Sequence, residues 1–262
     1  ILTAVALLVA ALLIRLLVAL TVPGYQVDIG CFTAWANRMA EVGPSSFYLT
    51  DMHADYPPGY MLVLWPLGLL GRLLGGGTKE WMVKMPPILC DLAAVWLLYV
   101  KRPKKEGLWS LVPAVLYALN PLTVLTGAAW GQADSVTALL IVLTVLYAVE
   151  GRWIKALPIY MLAVLMKPQA LMFGPLGLIA LIADMYWNKE NKKPIQVLYG
   201  VGLALAVLVA VCLPFSLKQK GFEWLVGLYT GTMTYYDKAT VNMTNLYFLF
   251  GLNWSDLYTP AS

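Results

Sequence analysis

Residues 3–22 read TAVALLVAALLIRLLVALTV, a stretch in which Arg15 is the only charged side chain. A helix of that length crosses the roughly 30 Å of hydrocarbon in a bilayer. The chain as a whole is 60% apolar and 12% charged, whereas a soluble domain carries about 25% charged residues. The sequence therefore predicts an all-α polytopic membrane protein. Further apolar runs lie at 82–100, 108–122, 133–149, 169–187 and 195–214, with a shorter one at 153–166.

The net charge of +4 comes from cations that are concentrated in short loops between these runs. Loop cations of this kind signal membrane orientation rather than a phosphate-binding face, so a nucleic-acid partner is excluded. Because the runs between the loops come in pairs, the positive-inside rule places all three loops in the cytoplasm. The loops are Lys101-Arg102-Pro103-Lys104-Lys105, the pair Arg152 and Lys155, and the group Lys189, Lys192 and Lys193.

The Gly- and Pro-rich stretch 58–75 decides on which side the other loops lie. If it spans the membrane, the N-terminus is outside and Asp28 is cytoplasmic. If it lies flat or re-enters, the chain has seven spans, and the loop 24–80 is outside. Its glycines and prolines suit a broken segment that other helices bury, so we predict a peripheral helix at 58–75. A second, amphipathic helix at 29–42 has one apolar stripe, formed by Phe32, Trp35, Met39 and Val42.

These predictions define the organisation of the chain. Residues 1–214 form a transmembrane module whose first outer loop, 24–80, carries both peripheral helices. Residues 215–262 form an outer loop or tail that could lead to further spans in a longer chain. The expected location is the cell membrane, with multiple spans and with the functional site on the extracytoplasmic side.

Carboxylates on the outer side are the first candidates for chemistry. Asp28 follows the first span and precedes the helix 29–42, so it is an N-cap, a positioned carboxylate at the membrane surface, or both. Asp55 and Tyr56 come directly before Pro57-Pro58, and the prolines fix the backbone at the start of the next helix.

Potential metal ligands and thiols give weaker signals. Asp51, His53 and Asp55 could hold a metal, but a solvated polar loop is the favoured interpretation because a real site needs three or four ligands in fixed geometry. The cysteines are scattered and odd in number, which predicts no disulfide framework. They are Cys31, Cys90 and Cys212.

Charges inside or beside the apolar runs are costly and usually functional. Asp134 begins such a run, where it binds a substrate or complements the helix dipole. Asp91 is expected to pair with Arg15, although Arg15 could instead face a phosphate. Lys167 lies on the outer side against the positive-inside preference, which indicates an anionic substrate. Lys218 lies on the same side, where snorkelling to lipid phosphates explains it equally well.

The segment 215–262 is rich in aromatic and amide side chains. Such side chains form platforms for sugars, but they also form the interfacial belt of many membrane proteins. Composition alone leaves both interpretations open. The residues are Trp224, Tyr229, Tyr235, Tyr236, Asn242, Asn245 and Tyr247.

An ordered set of short motifs resembles the GT-C glycosyltransferases, in particular bacterial relatives of the dolichyl-phosphate-dependent glucosyl- and mannosyltransferases. The resemblance runs from about residue 15 to 252 and implies a GT-C-like module of seven spans with two helices along the membrane in the first outer loop. The motifs are Asp28, Asp55-Tyr56-Pro57-Pro58, Lys84-x-Pro-x-Ile88-Leu89-x-Asp91-Leu92, Asn120-Pro121, Trp130-Gly131-Gln132-x-Asp134-Ser135, Lys167-Pro168-Gln169 and Thr240-Val241-Asn242-x-x-Asn245-Leu246.

The resemblance implies transfer of a hexose, with inversion, from a polyprenyl-phosphate carrier to the hydroxyl of a lipid- or protein-linked acceptor. Asp28 would be the general base, and Lys167, then Lys218 and Arg15, would stabilise charge on the leaving phosphate. Gln26 stands where metal-dependent branches carry a second acid, so transfer without a metal or other cofactor is expected. Other substrate-binding positions implied are Gln169, Asp55, Tyr56, Gln132, Asp134, Asn242 and Asn245.

Two other classes of function compete with this hypothesis. A transporter or flippase for a lipid-linked or anionic substrate would use Arg15, Asp91 and the Pro-broken helix at 166–168 for alternating access. Such a protein should show inverted halves, and the sequence shows none. A membrane scaffold without chemistry would leave Lys167 and Asp134 unexplained.

Overall fold

The regular secondary structure of the described residues is helical, apart from two isolated β-bridges, Lys238–Asp256 and Thr240–Asn253. The computed structural model describes residues 2–49, 52–187, 193–234, 238–241 and 245–256. The helices are α1 (Leu2–Thr21), α2 (Gln26–Val42), α3 (Pro44–Phe47), α4 (Pro58–Leu73), α5 (Glu80–Lys101), α6 (Val112–Leu119), α7 (Pro121–Val124), α8 (Asp134–Val149), α9 (Trp153–Met166), α10 (Gly174–Trp187), α11 (Lys193–Ser216), α12 (Glu223–Thr234) and α13 (Leu246–Leu249). Short 3₁₀ segments, Lys104–Leu111 and Pro168–Phe173, and a π-helical turn, Leu125–Trp130, complete the regular structure.

The chain divides into two compact units, Ile1–Gln219 and Lys220–Ser262. The first contains α1 to α11, and the second contains α12, α13 and the two bridges. Of the residues expected to be catalytic or to bind a substrate through the motifs, all but Asn242 and Asn245 belong to the first unit.

Five helical segments in the described residues are long and apolar enough to cross a membrane, which confirms a polytopic all-α membrane protein. Two further predicted spans, 133–149 and 153–166, form α8 and α9, apolar helices of 16 and 14 residues. At 1.5 Å per residue they are about 24 and 21 Å long. The five long segments are Leu2–Thr21, Glu80–Lys101, Gly107–Trp130, Pro168–Trp187 and Lys193–Ser216.

The predicted helix 58–75 forms α4 and packs along α2. At 16 residues, α4 does not belong to the membrane-length set. The predicted stripe of α2 is confirmed for Phe32, Trp35 and Met39, which are buried. Gly68 makes the close approach possible, because a Cβ atom there would lie 1.9 Å from the Ala36 carbonyl oxygen.

A buried ion pair joins α1 to α5, as the sequence predicted. The Arg15 Nε atom lies 3.0 Å from Asp91 Oδ2, and both side chains are 0% exposed. Tyr117 donates a hydrogen bond of 3.1 Å to the second carboxylate oxygen of Asp91. Partners on both oxygens are what an ionised pair needs when it is removed from water.

The same arginine also binds the backbone where the third long segment, Gly107–Trp130, is interrupted by a proline. The apolar run predicted to end at 122 continues to Trp130, although Pro121 has no backbone N–H to donate. The Leu122 N–H donates to the Asn120 side chain at 2.9 Å, so the Ala118 carbonyl loses its usual donor. Arg15 Nη1 donates to that carbonyl at 2.9 Å, and the bent segment is therefore fixed to α1.

The ion pair predicts a specific stability pattern. Asp91→Leu should destabilise the chain by about 3–5 kcal/mol, because it leaves the Arg15 charge buried without a partner. The double variant Arg15→Leu/Asp91→Leu should recover most of that loss, since two apolar side chains need no counter-charge. Thermal unfolding of the purified chain in detergent measures both. Arg38→Leu, which removes an exposed pair with Glu41, is the control and should cost at most about 1 kcal/mol. A double variant no more stable than Asp91→Leu would contradict the assignment.

The α2–α4 contact generates a second prediction. Gly68→Ala should lower the unfolding temperature by the equivalent of about 1–3 kcal/mol, because the added methyl group forces the two helices apart. Gly30→Ala on α2 is the matched control, since a Cβ atom there meets nothing within 4 Å. That variant should be neutral or slightly stabilising, because alanine favours a helix. Equal losses in both variants would contradict the close packing.

Candidate functional site

Asp28 is held at the start of α2 by side chains from a distant part of the chain. Its Oδ2 atom accepts a hydrogen bond of 2.7 Å from Trp130 Nε1 and another from Gln132 Nε2. Asp28 is not an N-cap, because Tyr25 occupies that position and Asp28 lies inside the first turn. The carboxylate therefore joins α2 to the segment that precedes α8.

Tyr56 extends this network through Gln132. The Tyr56 hydroxyl lies 3.3 Å from Gln132 Oε1 and donates to it, while its ring contacts Phe32, Trp35 and Tyr60 at centroid distances of 5.5 Å. Burial raises the pKa of Tyr56 well above its usual value, and nearby carboxylates raise it further. The phenol is therefore a neutral hydrogen-bond donor at physiological pH.

Lys167 and Asp134 close the other side of the arrangement. Lys167 follows the last residue of α9, Asp134 is the first residue of α8, and the two side chains form an ion pair. The Lys167 side chain is only 12% exposed, and its Nζ atom lies 5.5 Å from the centre of the Tyr56 ring. Asp134 also lies where a carboxylate complements the helix dipole of α8.

Five of the predicted site residues thus form one group, which we call the rim cluster: Asp28, Tyr56, Gln132, Asp134 and Lys167. They come from four separate segments of the sequence. The cluster contains two carboxylates, one ammonium group and neutral amide and phenol groups, so it can bind polar or charged groups. Trp130 belongs with them, and its place in the Trp130-Gly131-Gln132 motif was the signal that could have identified it.

The other predicted site residues have different surroundings. Asp55 is 22% exposed, with Oδ1 at 4.0 Å from His53 Nε2, and Gln169 is exposed in the turn after Lys167. Arg15 is buried with Asp91. Lys218 donates to Ser46 Oγ at 2.8 Å.

The remaining predicted residues lie in the second unit or outside the described ranges. The Asn245 side chain accepts from the Phe248 N–H at 3.1 Å and caps α13. Asn242, Asp51, Tyr235 and Tyr236 lie outside the described residues. Within the described ranges, no three His, Cys, Asp or Glu side chains are grouped so as to hold a metal ion.

The segment that carries Asp28 is positioned by Glu80, which the sequence did not single out, and by Lys84, which opened one of the motifs but was given no role of its own. Lys84 is fully buried and donates to the Ala19 and Val22 carbonyls at 3.1 and 2.9 Å. Glu80 lies 2.7 Å from the Lys84 ammonium and accepts from the Gly24 N–H at 2.6 Å. The end of α1 is therefore tied to the start of α5. The available signal was a Glu–Lys pair at i and i+4 beside an apolar run.

The Cys31 thiol on α2 provides a chemical test of the carboxylates that lie near it, Asp55 and Asp28. Burial raises the pKa of the Cys31 thiol, and the charges of Asp55 and Asp28 raise it further. Asp55→Asn should therefore increase the rate of maleimide labelling at pH 7.5 by about two- to fourfold, because a lower pKa increases the thiolate fraction. The measurement uses a variant with Cys90→Ala and Cys212→Ala. Asp134→Asn is the matched control and should leave the rate unchanged. Equal rates for Asp55→Asn and the parent would contradict this geometry.

A family model described as GPI transamidase subunit PIG-U matches residues 45–254. The matched range contains four residues of the rim cluster and begins after Asp28. No curated protein matches the chain.

This match corrects the functional hypotheses drawn from the sequence. The resemblance to GT-C glycosyltransferases was wrong, and with it the hexosyltransferase activity, the polyprenyl-phosphate sugar donor and the hydroxyl acceptor. The transporter alternative is replaced as well. The motifs that carried the resemblance are short, and several serve needs shared by membrane helices: Asn120-Pro121 breaks a segment, and Asp91 balances Arg15. The family match, in contrast, covers most of the sequence. The chain therefore belongs to the PIG-U family of GPI transamidase subunits.

Proposed function

We propose that this chain acts as a membrane subunit of a complex that attaches GPI anchors to proteins. The observation that carries the proposal is the PIG-U family match over residues 45–254. Its partners would be the other transamidase subunits, and its substrates would be the GPI lipid and the proprotein. The multi-pass helical structure suits a subunit that meets both within a membrane.

The chemistry of the described residues supports a role in binding rather than in bond exchange. Transamidation through a protein nucleophile needs an activated side chain, such as a thiolate beside a base. Cys31 is half-buried, and burial raises the pKa of its thiol. Cys90 and Cys212 lie within apolar helices. We therefore assign the bond-exchange step to another subunit.

The rim cluster is the best candidate for recognition of a polar substrate group. The carboxylates at this site outnumber its single ammonium group, that of Lys167. They belong to Asp28, Asp134 and the neighbouring Asp55, while Tyr56 and Gln132 add neutral groups. An excess of carboxylates beside such groups favours a ligand that combines an ammonium group with hydroxyls. Lys167 can interact with a phosphate on the same ligand. Gln169 and Asp55 lie next to this group in sequence and extend the proposed site.

The topology that we propose has seven crossings, with α8 and α9 among them and with α2 and α4 along the membrane surface. The basic loops would be cytoplasmic by the positive-inside rule, and the rim cluster would face the opposite side. The PIG-U family sits in the ER membrane, where that side is the lumen. Residues 1–214 would form the membrane module, and 215–262 would lie on the lumenal side.

Expression in cells that lack their own PIG-U subunit tests the proposal. The wild-type chain should co-purify with the transamidase subunits and restore a GPI-anchored reporter at the cell surface. Asp28→Ala and Lys167→Ala should each reduce the reporter about tenfold or more, because each removes a charged hydrogen-bonding group. Both variants should still co-purify, since neither side chain forms the helix core.

Glu41→Gln on the same helix as Asp28 is the control, because Glu41 is exposed and pairs only with nearby Arg38 among the contacts described for it. This variant should restore the reporter fully. Failure of the wild-type chain both to co-purify and to restore the reporter would refute the proposed function. Full restoration by Asp28→Ala and Lys167→Ala would refute only the role of the rim cluster.

A further inference from the structure

Helix α10 is attached to the α8–α9 hairpin at its two ends but not along its length. None of its residues is buried. At one end, Asp184 accepts hydrogen bonds from Trp153 Nε1 at 2.8 Å and from Lys193 Nζ at 2.6 Å. Before the other end, in the 3₁₀ segment Pro168–Phe173 that leads into α10, the Ala170 carbonyl accepts a hydrogen bond of 3.2 Å from the Tyr160 hydroxyl. A groove lies between these two attachments.

The groove is apolar and narrow. Its volume is about 570 Å³, and its walls come from α8, α9 and α10. Small residues such as Ala148, Ala156 and Gly177 leave the space open, and a Cβ atom added at Gly177 would meet nothing within 4 Å. The groove extends from Gly174 to Asp184 along α10, which corresponds to about 15 Å or half the hydrocarbon thickness.

These dimensions distinguish between two possible occupants. A partner transmembrane helix would run through the whole hydrocarbon layer of about 30 Å, which is twice the length of the groove. An acyl chain extends through one leaflet only, which is about 15 Å. The length of the groove therefore fits a single acyl chain.

The charges at one end of the groove indicate the head group. Four cations surround this end, and two acids pair with them among the described residues, Glu150 and Asp184. The cations are Lys101, Arg152, Lys155 and Lys193. The net charge of this group is therefore +2. Arg152 and Lys155 are both exposed and flank Trp153, which lines the groove. An anionic phosphate at this position would complement them.

We propose that the groove between α10 and the α8–α9 hairpin binds one acyl chain of an anionic phospholipid whose head group lies against Arg152 and Lys155. The bound chain fills the space that α10 leaves and stabilises the helix along its length. This site is separate from the rim cluster, which lies at the opposite end of the α8–α9 hairpin, and it does not depend on the proposed function.

Photolabelling in membranes that contain the full chain tests the site. The probe is phosphatidylglycerol with a diazirine in the middle of one acyl chain, and phosphatidylcholine with the same chain is the comparison. We expect adducts on residues of α8, α9 and α10 that line the groove, with stronger labelling by phosphatidylglycerol. Gly177→Phe should reduce these adducts about tenfold, because it displaces about two methylenes from the groove. Gly202→Phe on α11 is the matched control, since Gly202 is also exposed, helical and without neighbours within 4 Å.

A second variant separates occupation of the groove from misfolding. Ala148→Leu fills the groove from the α8 wall and should produce a similar loss of labelling, while both variants keep the unfolding temperature of Gly202→Phe. Undiminished labelling in Gly177→Phe, or adducts spread evenly over the exposed faces of α10 and α11, would overturn the site. Equal labelling by the two lipids would overturn the assignment of an anionic head group.

Discussion

The buried ion pair of Arg15 and Asp91 is the constraint on which the packing of the first unit, Ile1–Gln219, depends. Neither charge can exist alone in this position, because an uncompensated buried charge costs several kcal/mol. Helices α1 and α5 must therefore keep one register. Contacts of the same arginine with Ala118 and Thr123 extend this constraint to both sides of the Pro121 break. The bent segment then runs on to Trp130 and Gln132, which bind Asp28.

The rim cluster is consequently an outcome of helix packing rather than of a local motif. Lys84 and Glu80 tie the end of α1 to α5, which positions the first turn of α2 and with it Asp28. The close contact at Gly68 holds α4 against α2, and Tyr56 lies two residues before the start of α4. The α8–α9 hairpin brings Asp134 and Lys167 to the same end. Together these connections bring the polar groups to one place.

The family assignment changes the interpretation of these polar groups. A general base in a glycosyl transfer needs a carboxylate that can take a proton from a bound hydroxyl, and Asp28 Oδ2 already accepts two N–H donors. Lys167, expected to bind a phosphate, is paired with Asp134. Both charged groups are therefore paired within the protein. The PIG-U match over most of the chain identifies the protein with the GPI transamidase subunits and not with the glycosyltransferases.

By itself, the sequence determined the class of structure and much of the list of polar candidates. Apolar runs long enough for a bilayer specify membrane helices through the cost of unpaired backbone groups in lipid. The cost of burying charge likewise made the Arg15–Asp91 pair predictable. The sequence did not determine the family, because short motifs around prolines and acids serve similar structural needs in unrelated membrane proteins.

Only the tertiary structure decided which candidates belong together. Gln132 and Tyr56 bind each other across 76 positions of sequence, and Lys218 and Asn245, equally polar, form contacts elsewhere. The extension of the third segment past Pro121 also depended on Arg15 from another helix. These outcomes depend on distances between helices that are far apart in the chain. Local periodicity and loop charge carry no information about such distances. They indicate how each helix is oriented in the membrane, but not which other helices it contacts.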